Sequence, residues 1–213
     1  MKRSSLRGLY AITPERLRGR SLLEAAEAAL AGGAALLQYR DKSDDQRRRL
    51  SEALALNRLC RRYGALFIVN DDVELARASG AQGVHLGRQD APLEEARRRL
   101  GGGAVVGISC YDRWARAVEA ARMGADYVAF GAFHPSPTKP QAVRAHPDLL
   151  RRARRELDLP VVAIGGVTAE NAEPLIRAGA HMVAVVQGLF AQPDIRAAAR
   201  RISALFEPPR GAS

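Results

Sequence analysis

Clusters of polar residues interrupt an otherwise apolar rhythm in this chain, and each follows a short β-like run. Gln38-Tyr39-Arg40-Asp41-Lys42 sets an amide, a guanidinium and an ammonium two residues apart. In an extended strand alternate side chains share a face, so Gln38, Arg40 and Lys42 would point one way and Tyr39 the other. Such donors converging on one place suit a polyanion such as pyrophosphate; an internal Arg40–Asp41 pair in a surface turn is the alternative. Two later clusters carry carboxylates: Asn70-Asp71-Asp72 and the run from His85 to Asp90. Mg²⁺ takes one or two carboxylates, several waters and phosphate oxygens. Asp71 and Asp90, at the ends of adjacent strands, are expected to supply that pair. Helix capping competes for Asp72 and Asp90, since both precede helical patterns, and Asp72 is expected to cap. His85 lies inside a strand with no second His or Cys at ligand spacing, which argues against zinc.

The second half of the chain carries hydroxyls and glycines. Ser109 ends a strand but lacks the G-x-S-x-G elbow of a nucleophile, so it is expected to hydrogen-bond a phosphate or ring. The longest loop, residues 132–146, is stiffened by Pro135, Pro137 and Pro140 and carries Ser136, Thr138 and Lys139. Donors on a restrained loop read as a phosphate clamp or lid. A Schiff-base role for Lys139 and a proton-carrying role for His134 are the alternatives there. Gly165-Gly166 and Val186-Gln187-Gly188 follow the last two strands, where glycines let a ligand approach backbone N–H groups.

These residues need a frame. Strand-like segments are expected at Leu9–Thr13, Ala35–Arg40, Leu66–Asn70, Gly83–Leu86, Val105–Ser109, Tyr127–Gly131, Val161–Gly165 and Met182–Val186, with a helical pattern after each. Strands apolar along their whole length imply burial on both faces, as in a parallel sheet covered by helices. Eight such units predict an α/β chain forming a single (β/α)8 TIM barrel, one domain over residues 1–213 with its core at about 8–206. An open doubly wound sheet is the runner-up. In a barrel of this kind the loops after the strands carry function, and the polar clusters fall on those loops.

Composition narrows the partners. The 213 residues are 47% hydrophobic and 26% charged, with a net charge of +10. The basic surplus is almost all arginine, in runs such as Arg47-Arg48-Arg49 and Arg97-Arg98-Arg99 within helical patterns, where it reads as a solvated outer face. No aromatic platform accompanies it, so nucleic acid is not expected as a partner. No apolar run reaches the roughly 20 residues of a membrane-spanning helix, and no signal peptide is evident. Cys60 and Cys110 form no disulfide framework. A cytoplasmic protein with reduced thiols and small phosphorylated substrates is expected, and a homo-oligomer is compatible with the sequence.

Taken in order, LYAIT, QYRDK, VNDD, GVHLGRQD, GISC, YVAFGAFHPSPTKP, VVAIGGV and MVAVVQGLF fall one to a strand between Leu9 and Phe190, and together they resemble the thiamine phosphate synthase family. The resemblance implies an enzyme that joins 4-amino-2-methyl-5-hydroxymethylpyrimidine diphosphate to a thiazole phosphate and releases pyrophosphate by a largely dissociative, Mg²⁺-assisted path. It implies that Gln38, Tyr39, Arg40, Asp41, Lys42, Asn70, Ser109 and Lys139 bind the pyrimidine diphosphate, with Arg40 and Lys139 acting on the leaving group. Asp71 and Asp90 would hold Mg²⁺. Ser136, Pro137, Thr138, Gly165 and Gly166 would hold the thiazole phosphate, with Val186 and Gln187 contributing backbone amides. Gln187 stands where many members have serine. The related thiazole tautomerases, which use a histidine after the sixth strand, keep His134 as the alternative.

Overall fold

The structure is a computed structural model that describes residues 6–135, 141 and 143–207. Its strands are β1 (Gly8–Ile12), β2 (Leu36–Tyr39), β3 (Leu66–Asn70), β4 (Gly83–Leu86), β5 (Val105–Tyr111), β6 (Tyr127–Phe130), β7 (Val161–Ile164) and β8 (Met182–Val185). Each pairs in parallel with the next, and β8 returns to β1 in the register Gly8↔Met182 through Ala11↔Val185. That closure excludes the open sheet. Helices α1 (Gly19–Ala31), α2 (Gln46–Arg62), α3 (Val73–Ser79), α4 (Leu93–Leu100), α5 (Trp114–Arg122), α6 (Asp148–Glu156) and α7 (Ala172–Arg177) connect the strands, and α8 (Gln187–Phe190) and α9 (Ile195–Ala204) follow β8.

Both faces of the strands are buried, yet the period of two still sorts them. Tyr10, Leu36, Ile68, Tyr127, Val162 and Met182 fill the barrel interior. Their neighbours Leu9, Leu37, Phe67, Val128, Val161 and Val183 pack outward under the helices. Burying a Leu, Ile, Val or Phe side chain contributes roughly 1.5–3 kcal/mol, so both layers hold the register, and a one-residue slip would exchange them. Polar side chains on the inward parity can therefore survive only at the strand ends or in hydrogen-bonded rows.

Caps set where the helices begin. The Asp72 carboxylate accepts from Leu75 N at 2.8 Å and from Arg49 Nη2 at 2.9 Å, which gives it the expected capping role. Asp90 caps nothing, because α4 starts after Pro92. α7 begins only at Ala172, since Asn171 Oδ1 accepts from Thr168 N and holds residues 168–171 as a turn. Cys60 and Cys110 are free and buried, and burial pushes both thiols up to about 12. No helix among the described residues is long and apolar enough to cross a membrane.

Candidate active site

A cavity of about 1250 Å³ opens at the C-terminal ends of the strands. Inward parity brings Gln38 and Arg40 to its wall from β2, Asn70 from β3 and Ser109 from β5. On the opposite side lie Gly165 and Gly166 after β7, then Val186, Gln187 and Gly188 where α8 begins. The first amides of a helix have no acceptor within it, so this turn offers N–H groups beside the glycines. Gly166, at φ 61°, also admits the β6 loop: a Cβ there would sit 2.2 Å from Pro135 O. His134 N donates to Gly165 O at 2.9 Å and ties the two loops together.

Beneath the cavity runs a buried polar row. Gln38 Nε2 donates to Tyr10 Oη at 2.7 Å, Tyr10 and Tyr127 hydroxyls lie 2.8 Å apart, Tyr127 Oη is 3.0 Å from His85 Nδ1, and His85 Nε2 is 2.9 Å from Ser109 Oγ. Burial pushes both tyrosine hydroxyls well above the usual range, so they stay protonated. One orientation gives each proton in the row an acceptor: Gln38 to Tyr10, Tyr10 to Tyr127, Tyr127 to His85 Nδ1, and His85 Nε2–H to Ser109. Ser109 then keeps its own O–H for the cavity. His85 is thus a hydrogen-bonded histidine, not a metal ligand.

Asp71 and Asp90 meet beside Asn70. Asp90 is raised above the usual carboxylate range, first by burial and then by the Asp71 carboxyl beside it. Gly87 N donates to Asp90 Oδ2 at 2.5 Å, and Lys42 Nζ stands 3.4 Å from Asp71 Oδ2. Two carboxyls pressed together, one fixed by a backbone amide, are a donor set a hard dication fits. Among the described residues no three His, Cys, Asp or Glu side chains converge on one point. The pair would hold an ion that keeps its other positions for water and phosphate.

Other expected residues are placed differently. Tyr39 turns outward, as its parity requires, and donates to Glu52 Oε2 at 2.6 Å. Asp41 accepts from Ser43 N at 2.8 Å and pairs with Arg48 at 2.9 Å, which holds it at the start of α2. Burial works against the ionised form of Asp41, but the Ser43 bonds and the Arg48 charge leave its carboxyl below the usual range. Neither side chain reaches the cavity wall, and any ligand contact from these two positions would come from backbone. Lys42 is drawn to Asp71 because period two lapses once the strand ends. Arg40 Nη1 lies 2.5 Å from Glu15 Oε1, a carboxylate on a side chain 43% exposed and so easily exchanged for a phosphate. Ser136, Pro137, Thr138 and Lys139 lie outside the described residues. His134 does not line the cavity; burial and then Arg144 lower its pKa.

Sequence reasoning passed over Tyr10, Tyr127, Arg88, Arg113 and Arg116, all at or under the cavity. Inward parity was the available signal for both tyrosines, but a tyrosine in an apolar strand also reads as core. The arginines belong to turns and helix starts, where no periodicity gives direction.

Comparison with known proteins identifies the family of the chain. A family model described as thiamine monophosphate synthase matches residues 9–189. A thiamine-phosphate synthase of Thioalkalivibrio sulfidiphilus is 60% identical over 208 residues, covering 95% of this chain and 96% of that one. One from Thiobacillus denitrificans is 56% identical over 199 residues, covering 93% and 94%. A solved thiamine phosphate pyrophosphorylase from Pyrococcus furiosus superposes with a TM-score of 0.84 at 33% identity, over 94% of this chain and 96% of its own. The match takes in all eight strand ends that build the cavity, and the chain belongs to the thiamine monophosphate synthase family of enzymes.

Proposed function

We propose that this family member joins 4-amino-2-methyl-5-hydroxymethylpyrimidine diphosphate to thiazole phosphate, releasing pyrophosphate and forming thiamine phosphate. One observation carries the reading. Gln38, Arg40, Asn70 and Ser109 face the glycine turns after β7 and β8 across a single hollow of about 1250 Å³. That is above the roughly 300–1,000 Å³ of a pocket for one ligand, and the two walls offer anion-binding groups of different kinds.

The bond changes need little proton chemistry. The bond from the pyrimidine methylene to the diphosphate oxygen breaks, and its electron pair leaves with the oxygen. The thiazole nitrogen lone pair then forms the new C–N bond. What the chain must supply is charge against the leaving group and alignment of the two partners. Arg40 would release Glu15 and hold diphosphate, with Asn70 beside it. Gln38 and the free O–H of Ser109 would orient the ring. Amides at Gly165-Gly166 and Val186-Gln187 would hold the thiazole phosphate. Asp71 and Asp90 would hold Mg²⁺, which when bound neutralises part of the diphosphate charge. Lys139, Ser136, Pro137 and Thr138 keep the roles that family resemblance gives them. The setting we infer is cytoplasmic, with small phosphorylated substrates and no nucleic-acid partner.

The test is direct. Purified protein mixed with both substrates should yield pyrophosphate and thiamine phosphate in equal amounts, and chelation of Mg²⁺ should suppress both. Equal turnover without the metal rejects its role. Conversion of a thiazole carboxylate phosphate alone, lost in His134→Ala, would establish the tautomerase instead.

A further inference from the structure

A second cavity, of about 480 Å³, lies at the other end of the barrel, where the strands begin. Arg7 borders it just before β1, Arg151, Arg154 and Arg155 from α6, and Arg177 from the last turn of α7. Arg151 is 2.5 Å from Asp148 and Arg177 2.5 Å from Glu173. Arg7, Arg154 and Arg155 have no carboxylate within ion-pair distance among the described residues, although they share one hollow.

His181, the residue before β8, sharpens this. Val161 N–H donates to its Nδ1 at 3.1 Å, so Nδ1 carries no proton and Nε2 does. Arg154 Nη1 stands 3.4 Å from that Nε2, and a guanidinium can only donate. Two N–H groups therefore face each other across that gap. The backbone packing fixes where the Arg154 side chain starts. Its stem lies over Gly179, where a Cβ would come within 3.0 Å of both Arg154 Cβ and Leu150 O. Burial, then the charges of Arg154 and Arg7, lower the His181 pKa and keep the ring neutral.

Arginines in the last turn of a helix also offset its carbonyl end. That accounts for Arg154, Arg155 and Arg177. Arg7, which precedes a strand, donates to Phe206 O at 3.3 Å and lies over the Phe206 ring, contacts that leave its charge unmatched by a carboxylate, and no helix end explains a donor aimed at a donor. An anion with several oxygens answers both, because guanidinium forks match phosphate geometry. We propose that this foot cavity is an anion site for a small oligophosphate, gripped by Arg7, Arg154 and Arg155 and by the His181 Nε2–H. The proposal stands apart from the reaction at the mouth, since none of these residues lines that cavity.

The chain has 4 histidines, so imaging their ring nitrogens by NMR is tractable, with the His181 signal identified by its absence in His181→Gln. The full-length protein would be titrated with orthophosphate, inorganic pyrophosphate or a nucleoside triphosphate, at constant ionic strength and without divalent cations. The expected result is a saturable shift of the His181 signal and a rise in its pKa, with affinity growing from orthophosphate to one of the longer chains. Arg154→Gln/Arg155→Gln, both exposed, should weaken that response about tenfold or more while turnover stays at the wild-type level. The comparison between pyrophosphate and the triphosphate tells which source the site prefers. A linear response without saturation, an equal shift at exposed His146, or the same curve in the double variant would overturn the site. So would saturation by a short oligonucleotide with none by the small phosphates.

Discussion

At Asp71 the backbone and the carboxylate make separate demands. Its φ of 64° lies in the left-handed region, which aspartate and asparagine enter more readily than most L-residues. Alanine there removes the charge and adds strain together, so its effect would be ambiguous. Asp71→Asn keeps the turn and removes only the charge facing Asp90 and Lys42. Turnover should fall about 100-fold or more, with a melting temperature within about 3 °C of wild type. Pyrophosphate release across a Mg²⁺ series reads this out, and wild-type turnover in Asp71→Asn would end the metal assignment. Tyr127→Phe asks a different question. It deletes the hydroxyl between Tyr10 and His85 and leaves two buried partners unmet, a loss of about 1–3 kcal/mol in urea unfolding. Ser109 would also lose its fixed donor direction, so turnover should drop even where the variant is fully folded. An unchanged kcat would show that the row supports the fold alone.

Between elements, β5 and β6 are fitted to each other at a single glycine. A Cβ on Gly107 would lie 1.9 Å from Tyr127 Cζ, so the missing side chain is the slot that admits the ring. Gly107→Ala should cost about 3 kcal/mol or more, and combining it with Tyr127→Ala should cost clearly less than the sum of the two single changes. Additive losses would mean that the ring moves aside freely. This coupling was not legible in the sequence, because it joins residues twenty apart through space. The strands themselves were legible: β3 and β4 run as their apolar patterns indicate, and the parity that sends Gln38 and Arg40 inward sends Tyr39 outward. Asp41 and Lys42 were not, since they lie past the last paired residue of β2, where hydrogen bonds and ion pairs decide direction. α8 escaped notice because four residues span barely one helical turn and leave no room for a pattern to repeat. Asp72 was separable from Asp71 by its place before an apolar helix, whereas the meeting of Asp71 with Asp90 depends on β3 pairing with β4.

For the molecule as a whole, the excess of positive charge has a direction as well as a size. Many helix-face arginines are matched by neighbouring carboxylates, as in Arg20–Glu24, Arg77–Glu74 and Arg152–Glu156. At the mouth Arg16, Arg40, Arg88, Arg113 and Arg116 outnumber Glu15, Asp112 and Glu119, on a chain of net charge +10. A concave, low-dielectric wall with a surplus of one sign focuses its field outward and raises the encounter rate of anions. The proposed substrates both carry phosphate, so capture should be salt-sensitive while the bond changes should not. Raising monovalent salt from about 20 mM to 300 mM shortens the screening length from roughly 20 Å to under 8 Å. With free Mg²⁺ held constant, kcat/KM for the pyrimidine diphosphate should fall several-fold and kcat should change little. Arg113→Gln, which alters the mouth without touching Asp71 or Asp90, should lower kcat/KM at low salt and flatten its salt dependence. If kcat/KM is level across the series, or if kcat falls in step with it, the arginines serve the bound state and not the approach.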